Sequence, residues 1–142
     1  MQKTSREFSP QRAKRLSVRV YYEDTDAAGV VYYANYLRFC ERARTEWLRA
    51  FDFSQQALMN EQGIAFVVRR VEADYLLPAC LDDELDVLTD VVAWRGASLI
   101  FVQRVERSGV LLFRASVQIA CLNLASRRPA PLPAAVRDCL AA

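Results

Sequence analysis

The residues Glu23, Asp24, Thr25, Asp26, Ala27, Ala28 and Gly29 set three carboxylates and a flexible glycine just ahead of a stretch with helical periodicity. That combination has a chemical use. Free backbone N–H groups and the positive end of a helix dipole polarise a carbonyl or hold an oxyanion. A carboxylate beside them attacks that carbonyl or activates water, and these two parts are enough for acyl transfer. Acidic residues ahead of a helix are also ordinary caps. A calcium loop fits poorly: Asp24-Thr25-Asp26 followed by Gly29 resembles the opening of an EF-hand loop, but its fifth position is Ala28 and its twelfth Asn35.

Composition narrows the chemistry further. The 142 residues include no histidine, so a Ser-His-Asp triad, a Cys-His dyad, a His-ligated zinc and an imidazole base are all excluded. Cys40, Cys80, Cys121 and Cys139 form no C-x-x-C pair, which argues against a structural zinc or a redox motif and predicts buried, reduced thiols. No metal site is expected. Nineteen Lys plus Arg against seventeen Asp plus Glu give a net charge of +2, too balanced to predict a nucleic-acid partner. The basic N-terminus has no apolar segment behind it and no apolar run approaches the ~18 residues that cross a bilayer. The expectation is a cytoplasmic protein without a secretory signal or an integral membrane segment. The acid-rich stretch 72–90 has no Lys or Arg and reads as a solvated face.

The elements that must position the acidic loop follow from periodicity. Residues 1–15, basic and poor in apolar anchors, read as a loosely ordered arm, 16–134 as one folded domain, and 135–142 as a tail. Residues 17–22 alternate, with Val18, Val20 and Tyr22 on one face, as a half-buried strand does. From about residue 33 to 51, Tyr36, Cys40, Ala43, Trp47 and Phe51 recur at helical spacing, with Asn35 a plausible N-cap. A weaker helical or irregular connection runs to Gly63. Beyond it the runs 64–70, 71–76, 85–94, 98–107 and 110–124 read as strands, with Arg95-Gly96 and Ser108-Gly109 as hairpin turns. One long helix after the first strand, then antiparallel strands, predicts an α+β domain whose curved sheet wraps the helix. The open edge of such a sheet predicts a homodimer or higher oligomer.

Residues 19–47, RVYYEDTDAAGVVYYANYLRFCERARTEW, closely resemble the signature region of the 4-hydroxybenzoyl-CoA thioesterase-like family, in particular its Tol-Pal-associated, YbgC-type acyl-CoA thioesterase branch. The likeness continues through DYLLPACLDDELDV at 74–87 and WRGASLIFVQR at 94–104, and more faintly through RRPAPLP at 127–133. It implies a hot-dog fold, a curved antiparallel sheet around one long central helix, with active sites at the interface of a homodimer or homotetramer. It also implies hydrolysis of an acyl or aroyl thioester of coenzyme A, or of acyl carrier protein, with no cofactor, coenzyme A being part of the substrate. A non-catalytic thioester- or carrier-binding protein of the same fold is the alternative. On the matching positions, Asp26 falls on the catalytic carboxylate and Asp24 on a structural neighbour. The carbonyl-polarising backbone N–H falls on Tyr33, where members of the branch usually carry histidine; the backbone role survives that change. Gly29 lets the loop approach the substrate, Phe66 and Val67 touch the acyl chain, and Arg95, Arg127 and Arg128 fall in coenzyme A-contacting loops.

Overall fold

The computed structural model describes residues 3–141. Two short strands, β1 (Thr4–Ser5) and β2 (Lys14–Arg19), precede a 3₁₀ turn at Tyr22–Asp24; then come helix α1 (Tyr33–Arg49), helix α2 (Gln55–Gln62), strands β3 (Ile64–Tyr75), β4 (Glu84–Arg95), β5 (Ser98–Arg107) and β6 (Val110–Asn123), and helix α3 (Ala134–Ala141). The strands form one antiparallel sheet in the order β1-β4-β5-β6-β3, with β2 following β1 along the same edge of β4. This is the α+β hot-dog arrangement.

The sheet curves because its ladders slip. Register shifts lie between Val68 and Arg70 in β3, between Val91 and Ala93 in β4, and at Leu112 in β6, opposite the Val105–Glu106 step of β5. Each extra residue bends its strand, so the two runs read at 64–76 are one long bent strand. The concave face closes on α1, whose Asn35, Tyr36, Phe39, Cys40, Ala43, Trp47 and Leu48 are buried. Tyr36 stacks on Phe113 with ring centres 5.0 Å apart, and Trp47 meets Phe101 edge-on at 5.3 Å. Burying one such ring is worth about 1.5–3 kcal/mol, so the helical stripe ties α1 firmly to the sheet. Ser54 caps α2, accepting from the Ala57 N–H, and Gly63 closes it in the left-handed conformation.

Several expectations need correction. Tyr22 does not continue the first strand: it is 83% exposed, because the Asp24 carboxylate accepts the Tyr21 N–H at 2.8 Å and turns the chain. Arg95 closes β4 opposite Ser98, so that hairpin turns at Gly96-Ala97. Residues 3–15 are not a loose arm. They run along β4, where the Arg6 N–H donates to Val92 O and Arg12 pairs with the buried Asp90. The tail is helix α3, with Val136 and Leu140 buried. Of the cysteines only Cys40 and Cys121 are buried, while Cys80 is exposed and Cys139 intermediate. Burial pushes the Cys40 thiol up to about 12, which keeps it protonated and structural.

Candidate active site

The acidic segment forms a tight hairpin that feeds directly into α1. Thr25 bridges to Val31 across it, the Asp26 N–H donates to Val30 O at 2.9 Å, and the Gly29 N–H donates to Asp26 O at 3.0 Å. Gly29 makes the turn possible with φ +79°, which side chains rarely adopt. A Cβ there would meet nothing within 4 Å, so conformation rather than crowding calls for glycine. The hairpin is docked at both stems, since the Val31 N–H donates to Ala79 O and the Tyr32 N–H to Asp24 O.

The two aspartates have different environments. Asp24 is 6% exposed; one carboxylate oxygen accepts from Asn35 Nδ2 at 2.8 Å and the other from the Tyr21 N–H at 2.8 Å. Both oxygens are engaged in holding the loop to the first turn of α1, and Asn35 is part of that buried clamp rather than the N-cap, which is Tyr32. Asp26 is exposed on the hairpin tip. Its Oδ1 accepts from the Ala28 N–H at 2.8 Å, an Asx turn that fixes its rotamer, and its Oδ2 has no partner among the described residues. Asp24→Asn is expected to cost about 1–3 kcal/mol, because an amide nitrogen then faces one of two buried donors. The folded protein should keep its turnover within a factor of roughly ten, the scale of one displaced contact of about 1.4 kcal/mol. Thermal melts with assays below the transition check this; a lost rate at an unchanged melting temperature would make Asp24 the reacting carboxylate.

Tyr33 is the first residue of α1. Its N–H, one of the donors a helix start leaves free, reaches no acceptor among the described residues. The Tyr75 hydroxyl donates to Tyr33 O at 3.0 Å, pinning the helix mouth to the end of β3. The Tyr32 hydroxyl is raised from its ordinary pKa, first by its hydrogen bond with the Tyr33 side chain and in part by the nearby Asp26 charge. Beside this mouth lies a cleft of about 260 Å³ lined by Val31, Tyr33, Tyr36, Tyr75, Leu76, Leu77 and Pro78. Tyr33 is 62% exposed and Tyr75, Leu76 and Leu77 are each 48% exposed. The last three were not singled out from sequence; their only signal was an unbroken apolar run in a segment otherwise rich in acids.

The remaining expected residues lie elsewhere in the chain. Phe66 lines a separate cavity with Arg44 and Leu48, and Val67 pairs with Ala120 in the ladder. Arg95 faces a surface groove with Trp94 and Ser98. Arg127, with φ +59°, and Arg128 belong to the turn closing on Asn123, next to the start of β3. These groups occupy the end of the sheet opposite Tyr75 and Tyr33, on the order of 20–30 Å away along the bent strand at 3.3 Å per residue. A single chain does not bring them to Asp26. Among the described residues no group of His, Cys, Asp and Glu is gathered to hold a metal ion, and no helix is long and apolar enough to cross a membrane.

Comparison with known proteins is consistent across sequence and structure. The family model of the Thioesterase-like superfamily matches residues 20–140. An acyl-CoA thioesterase YbgC from Haemophilus influenzae is 51% identical over 120 residues, covering 84% of this chain and 88% of that protein. The crystal structure of a probable thioesterase from Bartonella henselae superposes with a TM-score of 0.82 at 36% identity, covering 85% of this chain and 99% of that one. A 1,4-dihydroxy-2-naphthoyl-CoA thioesterase from Synechocystis superposes with a TM-score of 0.85 at 27% identity, covering 91% and 96%.

Proposed function

The chain belongs to the thioesterase-like superfamily and is an acyl-CoA thioesterase; we propose that it opens the thioester with Asp26 against the free N–H of Tyr33, in a site completed by a second copy of the chain. The thioester carbonyl oxygen accepts from the Tyr33 N–H at the positive end of α1, where one such donor is worth about 3 kcal/mol in the transition state. The Asp26 carboxylate then takes one of two routes. It attacks the carbonyl carbon, the C–S bond breaks, coenzyme A leaves as thiolate, and water opens the resulting mixed anhydride. Alternatively it takes a proton from water, whose oxygen attacks as the same bond breaks. Neither route needs a metal or a cofactor.

The observation that carries the composite site is the separation just described. Asp26 and Tyr33 sit at one end of β3, and Phe66, Val67, Arg95, Arg127 and Arg128 at the other. Among the described residues β3 pairs only with β6, so its outer edge is open. Antiparallel pairing of two such edges about a two-fold axis turns one copy end over end. That would set Phe66 and Val67 of the partner subunit beside the Tyr33 cleft, with the partner's arginines near the coenzyme A phosphates. It would also cover Asp26, which faces water in the lone chain. This arrangement yields a homodimer, or a tetramer made of two, and fits a reducing, cytoplasmic compartment because the cysteines are free. Acyl carrier protein remains an acceptable thiol handle in this geometry.

The test joins activity to assembly. Wild-type protein is expected to sediment as a dimer or larger and to release free thiol from short-chain acyl-CoA. Val68→Lys with Val71→Lys sets lysines against their copies along the exposed β3 edge. That variant is expected to sediment as a monomer and to lose about 10²-fold or more in kcat/KM. A fully active monomer would overturn the shared site, and a dimer without thiol release would favour a binding protein.

A further inference from the structure

The hairpin that carries Asp26 is gripped by a segment with no part in the chemistry. Between β3 and β4 the chain runs as a strap, residues 76–83, that belongs to neither strand. Its near end is fixed to β6, where the Leu76 and Leu77 N–H groups donate to Leu112 O at 2.8 and 3.1 Å. Its far end holds the hairpin at both stems. On the entry side the Val20 N–H donates to Asp83 O at 2.9 Å, and the Asp82 N–H donates to Val20 O at 3.0 Å. On the exit side the Val31 N–H donates to Ala79 O at 2.8 Å and Val30 bridges to Cys80. The Ala79 N–H also donates to the Tyr36 hydroxyl, in the first turn of α1, at 3.0 Å. The placement of Asp26 against the helix mouth therefore follows the shape of the strap.

One ion pair sets that shape. Arg107, the last residue of β5, donates through Nη1 to Asp83 Oδ2 at 2.7 Å and to Pro78 O at 3.3 Å. The same Asp83 oxygen accepts the Cys80 N–H at 2.8 Å, and the Asp83 N–H donates to Cys80 O at 3.1 Å. A single guanidinium nitrogen thus ties residue 78 to residue 83, and the carboxylate closes the turn between 80 and 83. Asp82 in that turn has φ +71°, a conformation that side-chain-bearing residues adopt at a cost, so the turn needs its closure. The two side chains are 35% and 23% exposed. A pair so open to water adds little to global stability, and its loss should shift the strap before it unfolds the chain.

We propose that Arg107 and Asp83 are positioning residues: by fixing the strap they fix the hairpin, and so set the gap between the Asp26 carboxylate and the Tyr33 N–H. That this gap governs turnover rests on the hydrolase reading, whereas the hold on the hairpin does not. The effect is large because a misplacement of about 1 Å between reacting groups costs on the order of 10²-fold.

The test uses the full-length protein and two readouts. Arg107→Gln is expected to lower kcat for thiol release from short-chain acyl-CoA by about 10- to 100-fold with KM little changed. Arg107→Lys, whose cation still reaches one of the two acceptors, should recover part of that loss. Asp83→Asn should fall as Arg107→Gln does, and the double variant should fall no further, because the two residues act as one unit. Hydrogen exchange at the Val20 and Val31 amides should be faster in Arg107→Gln than in wild type. A kcat within about twofold of wild type, with or without a lower melting temperature, overturns the positioning role. So does a rise in KM alone, a loss as large in Arg107→Lys as in Arg107→Gln, or unchanged exchange at both amides. If Arg107→Gln does not fold, Arg107→Lys and Asp83→Asn decide by the same two readouts. If wild type releases no thiol, or Asp26→Asn matches it, the hydrolase reading fails by itself, and exchange at Val20 and Val31 still decides whether the pair holds the hairpin.

Discussion

Asp26→Asn is expected to lower kcat/KM for acyl-CoA by about 10²–10⁴-fold, the range supplied by one positioned acid or base. The substitution is almost isosteric, and the asparagine oxygen can still accept the Ala28 N–H that Asp26 Oδ1 accepts at 2.8 Å. The hairpin, the Gly29 turn and the free Tyr33 N–H should therefore stay in place, with melting temperature and sedimentation unchanged. What is removed is the negative oxygen that, in the proposed mechanism, attacks carbon or takes the proton from water. With no histidine in the chain, no imidazole stands in for it. The residual rate should come from carbonyl polarisation at the helix mouth, which the substitution does not touch. Free-thiol release from short-chain acyl-CoA measures the loss, and turnover equal to wild type would remove Asp26 from the mechanism. A burst of thiol in the first turnover of wild type would identify the covalent route.

The contrast with Asp24 shows how far sequence could carry the site. Two aspartates two residues apart are chemically alike on paper, and the resemblance alone separated them into a reacting and a supporting group. The structure gives the two different surroundings. Asp24 has both oxygens occupied, by the Asn35 amide and the Tyr21 N–H, whereas Asp26 keeps one oxygen open to solvent. The N-cap was misplaced for a related reason. Asn35 has the right chemistry for a cap, but its amide is drawn inward by a carboxylate eleven residues earlier, which no local rule reports.

Periodicity worked where packing follows it. The stripe Tyr36, Cys40, Ala43 and Trp47 is the buried face of α1, and the 98–107 strand has the bounds its alternation predicts. It worked less well where a long-range partner decides. The bend in β3 interrupts alternation and made one strand look like two. Distances across the sheet have no local signature at all, so the residues that resemblance assigned to one site turned out to lie at opposite ends of β3. Tyr75 and the apolar pair after it join the Tyr33 cleft only because β3 ends beside α1.

The misread acid-rich stretch leads to the largest expected effect on stability. Asp90 lies in a run that reads as a solvated face, yet it is 1% exposed. Arg12 donates to both its oxygens, Nε at 2.9 Å and Nη2 at 2.7 Å, and the Ser9 N–H donates to one of them at 3.1 Å. Arg6, with a nitrogen 4.0 Å from the same carboxylate, also donates to Val91 O and to Leu140 O in α3. One buried carboxylate thus fastens the N-terminal segment to β4, and through Arg6 that segment reaches the C-terminal helix. Removing one member of a buried pair leaves the other uncompensated and typically costs about 3–5 kcal/mol. Arg12→Ala, which leaves Asp90 buried without its guanidinium, is therefore expected to lower the melting temperature by roughly 6–20 °C at about 2–4 °C per kcal/mol. Asp90→Ala should cost less, because the Arg12 and Arg6 side chains it leaves are 34% and 25% solvent-exposed and can hydrate. Thermal melts of both variants and the double variant check the coupling. If Arg12→Ala melts within a degree or two of wild type, the clasp does not hold the edge of the sheet, and residues 3–15 revert to the loose arm their composition suggests.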